Sequence, residues 1–251
     1  MNWLHRIKKM PLKQKILCEI RNKMTAKIRC KIADHVVYQS QFVKAWWERI
    51  SGEVTVPTSI IYNAVNLDEF KPISNMSPSK IICVEGNIDY SPYSLDVLDF
   101  ISTELIGSEF DSLDIYGGFE DTSLIDKFPS LSFKGPVSRE DIPKVYNNGI
   151  YFSLDVNAAC PNTVIEALAS GIPVTGFDTG ALAELLKENS GVAAAYGNDP
   201  WGLSPPKSSN LINSFLEIKS NYKSFSQNAR KCAEKHYSLD GMINKYMALF
   251  A

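Results

Sequence analysis

Between residues 81 and 187, short apolar runs alternate with segments of helical pattern. The apolar runs cover 81–84, 113–116, 131–134, 149–154 and 173–175, and the helical patterns cover 95–105, 138–147, 162–170 and 181–187. Strands that are apolar along their length, each followed by a helix, are typical of a parallel sheet covered on both faces. The alternation therefore predicts an α/β fold built on a Rossmann-like, doubly wound parallel sheet.

A polar, proline-containing stretch at 70–80 precedes this alternation and predicts a domain boundary near residue 72. Before it, 33–39 has the pattern of a short buried strand, and Ser40 is suited to cap a helix at 41–50. The chain from 211 to 250 is helical in pattern, with an interruption near 236–241. We therefore expect a first unit at 1–72 with a basic helix and a short strand and helix, a Rossmann-like domain at 73–232, and a helical tail at 233–251.

Residues 1–31 combine many basic side chains with a single acid, Glu19, and with interspersed apolar residues. The basic residues are His5, Arg6, Lys8, Lys9, Lys13, Lys15, Arg21, Lys23, Lys27, Arg29 and Lys31. This pattern predicts a basic amphipathic helix. Two functions fit it equally: a patch that lies on anionic lipid headgroups, or a helix whose apolar face packs on a partner domain.

The overall charge argues against nucleic acid as a partner, because a net charge of -2 and a pI near 6.0 provide no field that would hold a polyanion. The five cysteines are scattered without metal-ligand spacing, which favours a reducing cytoplasm and predicts no metal site. No apolar run approaches the roughly 20 residues that span a bilayer. We therefore expect a cytoplasmic protein whose membrane contact, if the basic helix makes one, is peripheral and at the inner face.

Glycines stand where three of the expected strands end, at Gly86, at Gly117 with Gly118, and at Gly135. In a doubly wound sheet the ligand lies in the crevice at the carboxyl ends of the strands, where glycine lets the backbone approach it closely. Glycine is also common turn punctuation at strand ends. Each position alone leaves both explanations open.

The segment from 153 to 185 is more informative. Pro161 suits the opening of a helix, which leaves the amides of Asn162, Thr163 and Val164 unpaired at the positive end of the helix dipole, where a diphosphate would bind. Glu166 lies one turn further in, where its carboxylate can accept two hydroxyls of a ribose at once. The alternative is an ordinary acid in a first turn that stabilises the helix and contacts nothing else.

The motif PNTVIEALASGIPV, followed by DTGALAEL, resembles the donor-binding signature of retaining GT-B glycosyltransferases of group 1, also called GT4. The segments IYNAVNLDEFKP, FKGPVSREDIPKVYNN and ADHVVYQSQF are similar to other parts of that family, so the resemblance runs from about residue 32 to the C-terminus. It implies a nucleoside-diphosphate-sugar donor, with UDP and GDP sugars as candidates, a retaining and metal-independent glycosyl or hexosyl transfer, and no cofactor. It also implies that the first unit is a remnant of the acceptor-side domain.

The resemblance assigns roles to individual residues. Glu166 would bind the ribose, and Asn162, Thr163 and Val164, just after Pro161, would hold the diphosphate and sugar. The loop beside the base would be formed by Gly135, Pro136 and Val137, and the glycine loop facing the phosphates by Gly86 and Asn87.

The sequence departs from the family at three places. The first glutamate of the family's E-x7-E motif is replaced by Ala158. The two basic positions of the family's glycine loop hold Asn87 and Pro92. Asp89, Tyr90 and Pro92 nevertheless match a subset of the family that reads G-x-x-D-Y-x-P-N at this loop. Lys134 and Arg139 are the nearest basic candidates, so the catalytic residues are unassigned. Residues 1–72 are also too few for a full acceptor domain.

Three functions are left open. The first is the donor-binding part of a glycosyltransferase that acts on a glycan or lipid-linked acceptor in surface polysaccharide synthesis, with an acceptor-domain subunit as partner. The second, motivated by Ala158 and Asn87, is a non-catalytic nucleotide-sugar-binding remnant or a subunit of a split enzyme. The third, a nucleotide-sugar epimerase, would need histidines in the cleft, and His5, His35 and His236 fall in none of the strand-end loops.

Overall fold

The computed structural model describes residues 11–73, 78–91, 93–202 and 204–251, without the side chain of Tyr90. The expectations about Pro92 and about the basic residues before Pro11 lie outside this range. In chain order the elements are α1 (Leu12–Lys31), β1 (Val36–Tyr38), α2 (Gln41–Ser51), β2 (Thr58–Ile60), β3 (Lys80–Asn87), α3 (Ser94–Leu105), β4 (Ser112–Gly118), β5 (Ser132–Gly135), α4 (Ile142–Val145), β6 (Gly149–Ser153), α5 (Asn162–Ala169), β7 (Val174–Phe177), α6 (Leu182–Leu185), β8 (Gly191–Ala194), α7 (Asn210–Ser220), α8 (Tyr222–His236) and α9 (Leu239–Met247).

Six of these strands form one parallel sheet in the order β5-β4-β3-β6-β7-β8. The chain builds the sheet outwards from β3 to β5 and then returns to the other side of β3 with β6. The strand order therefore reverses between β3 and β6, which is where doubly wound sheets bind their ligands. The predicted fold class is confirmed.

The central strands are buried because both of their faces are covered. Along β3, Ile81 and Cys83 point into a core shared with α3 and α7, whereas Ile82 and Val84 point into a core shared with α5 and α8. Successive side chains of a strand alternate between faces, so an uninterrupted apolar run serves both cores. All five residues of β6 are buried in the same way.

The N-terminal unit, residues 11–73, holds α1 and α2 and a second, two-stranded parallel sheet. In this sheet β1 pairs with β2 from Val36 opposite Thr58 to Tyr38 opposite Ile60. The expected helix cap is present, since the Ser40 hydroxyl accepts a hydrogen bond from the Val43 N–H at 3.1 Å. This cap begins α2 directly after β1.

One basic residue of α1 is buried. The guanidinium of Arg29 donates to the Tyr38 hydroxyl at 2.9 Å and to the Gly52 carbonyl at 2.7 Å, and it lies 5.6 Å from the ring centre of Trp47. Arg29 therefore anchors α1 to β1 and α2. The large apolar residues of α1 are exposed and, at spacings of three or four positions, wind around the helix: Leu12, Ile16, Leu17, Ile20, Met24 and Ile28, followed by Ile32 just after the helix.

Two of the contacts that join the N-terminal unit to the six-stranded domain involve α6 and the residue before α9. The carboxylate of Glu184 in α6 accepts from the N–H groups of Gln41 at 2.9 Å and Phe42 at 3.1 Å, at the positive end of the α2 dipole. Val65 pairs with Ser238, just before α9, in a parallel bridge. The C-terminal helices thus return to the segment that links the two units.

The helix predicted at 138–147 is much shorter in the structure, where α4 covers only Ile142–Val145. The preceding residues form a turn instead, in which the Ser138 hydroxyl donates to the Asp141 carboxylate at 2.8 Å. Asn148 then adopts a left-handed conformation, with φ of 48°, which ends the segment before β6.

Candidate functional site

A cavity of about 390 Å³ lies at the carboxyl ends of β3 and β6, the point where the strand order reverses. It is lined by Gln39, Glu85, Gly86, Asp155, Asn157, Ala158, Ala159, Cys160 and Pro161. Gln39 comes from the N-terminal unit and the other residues from the six-stranded domain. The cavity is therefore a crevice between the two units, at the place that the sequence predicted.

The helix α5 begins at the wall of this cavity. Pro161 lines the cavity and precedes the first helical residue, Asn162, and no side chain caps the helix by a hydrogen bond. Because an α-helix leaves its first N–H groups without intrahelical acceptors, the amides of Asn162, Thr163 and Val164 are the unpaired groups that the sequence predicted. Such an end favours an anion.

Asn63 fixes the start of α5 from the segment that links the two units. Its side-chain amide donates to the Cys160 carbonyl at 2.9 Å and to the Asn162 side-chain oxygen at 2.8 Å, and its backbone N–H donates to the Cys160 Sγ at 3.4 Å. The sequence did not reveal this role, because 99 residues separate Asn63 from Asn162. The position and direction of the helix start therefore depend on both units.

Glu166 lies one turn into α5 and is half-buried. The hydroxyl of the buried Tyr146 donates to its Oε2 at 3.3 Å. Burial raises the pKa of Glu166, whereas the hydrogen bond from Tyr146 and the charge of Arg139 act in the opposite direction. Glu166 is not among the residues that line the crevice cavity.

Gly135 is the last residue of β5, two strands away from β3 in the sheet, and Pro136 and Val137 follow it. Gly135 has a φ of 79°, a left-handed conformation that favours glycine. Of the two basic candidates near this loop, Lys134 is paired with Asp114 at 3.6 Å. Arg139 is exposed and acts electrostatically on Glu166, so it is the basic group that the structure brings to this side.

Gly86 and Asn87, expected in a glycine loop, are the last two residues of β3. No atom lies within 4 Å of the position that a Cβ on Gly86 would occupy, so the space above this residue is open. Asp89 holds the segment after β3 in place, since its carboxylate accepts from the N–H groups of Glu120 at 2.9 Å and Asp121 at 3.0 Å. Asp89 therefore has a structural role, tying the β3 loop to the β4 loop.

Glu85 is a residue of this site that sequence reasoning missed. It stands near the end of β3, and its Oε1 accepts from the N–H of Leu154 at 3.2 Å. Burial, together with the neighbouring charge of Asp155, raises the pKa of Glu85 to about 8. An acid within an otherwise apolar strand, directly before a glycine, is the sequence signal that would have identified it.

Among the residues that the structure describes, no group of three or more histidine, cysteine, aspartate or glutamate side chains is placed to hold a metal ion. Within the same residues, no helix combines the length and the apolar character needed to cross a membrane.

Comparison with known proteins identifies the domain. Residues 129–232 match the family described as glycosyl transferases group 1. Residues 129–232 are a group 1 glycosyltransferase domain. The matched residues include β6, the start of α5 and Glu166, and they coincide with the segment whose motif resembled this family.

The fold of the group 1 domain recurs in solved structures. Sucrose-phosphate synthase from Thermosynechococcus elongatus superposes with a TM-score of 0.74 at 18% identity, over 92% of this chain and 61% of the synthase. HepE from Anabaena, solved with UDP and glucose, gives 0.72 at 13% identity over 92% and 67%. A glycosyltransferase from Rickettsia africae gives 0.67 at 18% identity over 96% and 67%. No curated protein sequence matches significantly.

These likenesses confirm the GT-B type of fold around the group 1 domain. They also show that the chain spans about three fifths of the length of the sucrose-phosphate synthase that it superposes on. The resemblance inferred from the motif is therefore confirmed for the family and for the fold.

Around the group 1 domain, the residues predicted from the sequence fall into two sets. Gly86, Ala158 and Pro161 line one cavity, at whose wall α5 begins. The second set, Glu166 and the loop from Gly135 to Val137, lies outside the residues that line this cavity. Ala158 leaves a methyl group where the family motif has a glutamate, and Glu85, on β3, lines the same cavity.

Proposed function

We propose that the chain binds a nucleoside-diphosphate sugar at the carboxyl edge of its six-stranded sheet and forms the donor-binding part of a glycosyltransferase. The proposal depends on the start of α5, where no side chain caps the helix. This helix end lies at the wall of the cavity where the strand order of the sheet reverses. Unpaired amides and the helix dipole together suit a diphosphate. The complex of HepE with UDP and glucose supports the same ligand class.

Each part of the donor has a proposed position. The diphosphate lies on the amides of Asn162, Thr163 and Val164, and the ribose hydroxyls donate to Glu166. The Tyr146 hydroxyl orients the Glu166 carboxylate for this contact. The base lies towards Gly135, Pro136 and Val137, and the sugar extends into the cavity beside Gly86 and Asn87.

The proposed reaction is a retaining transfer of the sugar to a glycan or lipid-linked acceptor in surface polysaccharide synthesis, as the family resemblance implies. The departing diphosphate gains negative charge as the bond to the sugar breaks, and preorganised donors must stabilise that charge. The amides at the start of α5 supply such donors. Arg139, which is exposed and whose charge acts on Glu166, is the proposed cationic group.

A second candidate is a nucleotide-sugar-binding subunit that has no catalytic activity of its own. It is favoured by Ala158, which cannot accept a hydrogen bond from a sugar through its side chain. Asn87 also replaces a basic residue of the family loop. The two candidates share the donor site and differ only in whether sugar is transferred once an acceptor-binding partner is present.

Mass spectrometry of small molecules released from the purified chain tests the proposal. We expect a nucleoside diphosphate or its sugar, in amounts that fall sharply when a Glu166→Ala protein is purified in parallel from the same quantity of cells. Release of no such compound, together with no thermal stabilisation of the protein by UDP, GDP or their sugars, would contradict it.

A further inference from the structure

A chain of three side-chain amides connects the N-terminal unit to the start of α5. Gln39, which directly follows β1 and lines the crevice cavity, donates through its Nε2 to the Asn63 Oδ1 at 3.1 Å. The Nδ2 of Asn63 donates in turn to the Oδ1 of Asn162, the first residue of α5, at 2.8 Å. The chain of amides therefore runs from the cavity wall to the helix end at which the diphosphate is proposed to bind.

The orientation of every amide in this chain is fixed by the backbone carbonyl of Cys160. A carbonyl oxygen can only accept, so the group of Asn63 that lies 2.9 Å from it must be the NH2 group. The second N–H of the same NH2 group then requires an oxygen from Asn162. The remaining polar atom of Asn63, Oδ1, requires a donor, which is the NH2 group of Gln39. Reversing any one of these amides would place two donors or two acceptors against each other.

The two ends of the chain of amides consequently offer opposite groups to a ligand. Asn162 has its Oδ1 engaged and its NH2 group left to donate, whereas Gln39 has its NH2 group engaged and its Oε1 left to accept. Among the residues that the structure describes, neither of these remaining groups has a hydrogen-bond partner, and both residues are exposed. An NH2 group is suited to donate to a phosphate oxygen, and an amide oxygen is suited to accept from a hydroxyl.

Asn63 itself is placed to hold this arrangement and not to contact a ligand. It is half-buried, and its side chain is engaged by Gln39, by the Cys160 carbonyl and by Asn162. Its backbone N–H also donates to the Cys160 Sγ at 3.4 Å. Without the Asn63 side chain, Asn162 could turn its oxygen towards the diphosphate, and the negative partial charge of that oxygen would oppose binding. Asn63 thus determines which atom of Asn162 a ligand meets.

We propose that Asn63 is a positioning residue for the donor, which presents the NH2 group of Asn162 to the diphosphate and the Oε1 of Gln39 to a hydroxyl of the sugar. This inference rests on the donor function proposed above. It extends that function, because it gives the N-terminal unit a part in binding the sugar. Gln39 is then a binding residue that distinguishes a sugar nucleotide from the free diphosphate.

Calorimetric titration of the full chain tests this with UDP and UDP-glucose, and with GDP and GDP-mannose as the second series. In the series that binds, Gln39→Ala should weaken the sugar nucleotide roughly three- to tenfold and leave the free diphosphate unchanged. Asn162→Ala and Asn63→Ala should each weaken both ligands by a similar factor. Their combined effect should be less than additive, because Asn63 acts through Asn162. Asn66→Ala, at an exposed position of the same linking segment, is the matched control and should change neither affinity.

The outcomes separate the inference from the proposed function. If neither diphosphate nor either sugar nucleotide binds, the donor function fails and the inference fails with it. If a diphosphate binds but Asn162→Ala leaves its affinity unchanged, the inference alone is overturned. It is also overturned if Gln39→Ala weakens the free diphosphate as much as the sugar nucleotide or weakens neither, or if the effects of Asn63→Ala and Asn162→Ala are strictly additive. Gln39→Ala and Asn162→Ala, both at exposed positions, decide the question if Asn63→Ala does not fold.

Discussion

The indole rings of Trp46 and Trp201 stack face to face, with centroids 4.4 Å apart and planes inclined by 2°. Trp46 belongs to α2 of the N-terminal unit, and Trp201 belongs to the loop after β8. The neighbouring Pro200 carbonyl accepts from the Asn157 side chain at 3.3 Å, and Asn157 lines the crevice cavity. The stack therefore links the N-terminal unit to a loop that contacts the wall of the site.

We predict that the Trp46–Trp201 contact contributes to stability beyond the area that it buries. In a double-mutant cycle of Trp46→Ala and Trp201→Ala, the coupling energy measured by denaturant unfolding should be about 0.5–1.5 kcal/mol. Strictly additive effects of the two substitutions would show that the rings do not interact in solution.

We predict that the buried side chain of Arg29 stabilises the folded chain by holding α1 in place. Arg29→Lys should lower the free energy of unfolding by about 1–3 kcal/mol, because a lysine cannot reproduce the bonds to Tyr38 and to the Trp47 and Gly52 carbonyls. Lys27→Gln, at an exposed position on the same helix, should change it by less than about 0.5 kcal/mol. Equal effects of the two substitutions would contradict this assignment.

The exposed apolar residues of α1, interspersed with basic residues, are predicted to bind an anionic lipid surface or a partner protein. Each lysine or arginine near such a surface contributes up to about 1 kcal/mol, and the attraction weakens with salt. Sedimentation with phosphatidylserine vesicles at low and high salt measures the binding to lipid, and Ile20→Asp should abolish this binding. If deletion of residues 1–31 changes neither vesicle binding nor binding to an acceptor-domain protein, α1 is only a solvated helix.

The ionisation of Glu85 predicts how stability depends on pH. Its pKa is about 8 in the folded chain and near 4.5 ordinarily, so between these values the folded state binds the extra proton. The free energy of unfolding should therefore fall as pH rises from about 5 to 8, by at most about 1.4 kcal/mol per pH unit from this group. Glu85→Gln should remove that contribution, and the difference between the two proteins isolates it from other titrations. A difference that is constant with pH would contradict the shifted pKa.

Sugar transfer by the purified 251-residue chain is expected to be weak. Bringing two substrates into reactive geometry supplies up to roughly 7–11 kcal/mol, and this requires a surface that holds the acceptor. The described part of the N-terminal unit has two strands and two helices. Addition of an acceptor-domain subunit should raise the rate, whereas Ala158→Glu alone should not. Robust transfer by the chain alone would contradict this prediction, and no transfer even with the partner would favour the non-catalytic candidate.

The parts of the fold that depend on local pattern were predictable from the sequence. Apolar runs identified β3 to β7, and Pro161 identified the start of α5, because apolar periodicity and helix-opening residues act over a few positions. The strand β8 was missed, since Gly191–Ala194 is made of small residues with a weak strand signal. The helix expected at 138–147 was too long, because a side-chain turn at Ser138 competes with helix formation over the first part of that range.

The parts of the site that depend on distant residues were not predictable. Glu85 meets Leu154 across 69 positions, and Asn63 meets Asn162 across 99. In the sequence Arg29 is one of many basic residues and is not distinguished from a surface cation, whereas in the structure β1 and α2 enclose it. In each case the tertiary arrangement, and not the local sequence, determines the surroundings of the side chain.

The central claim is that a nucleoside diphosphate binds at the start of α5 with its ribose on Glu166. Calorimetric titration of the unmodified chain, of Glu166→Ala and of the surface control Glu104→Ala with UDP and GDP tests it most directly. Loss of a hydrogen bond to a charged group costs roughly 1.5–3 kcal/mol, so Glu166→Ala should bind the preferred nucleotide about 10- to 100-fold more weakly while the control is unchanged. A folded Glu166→Ala protein that binds this nucleotide undiminished would contradict the account.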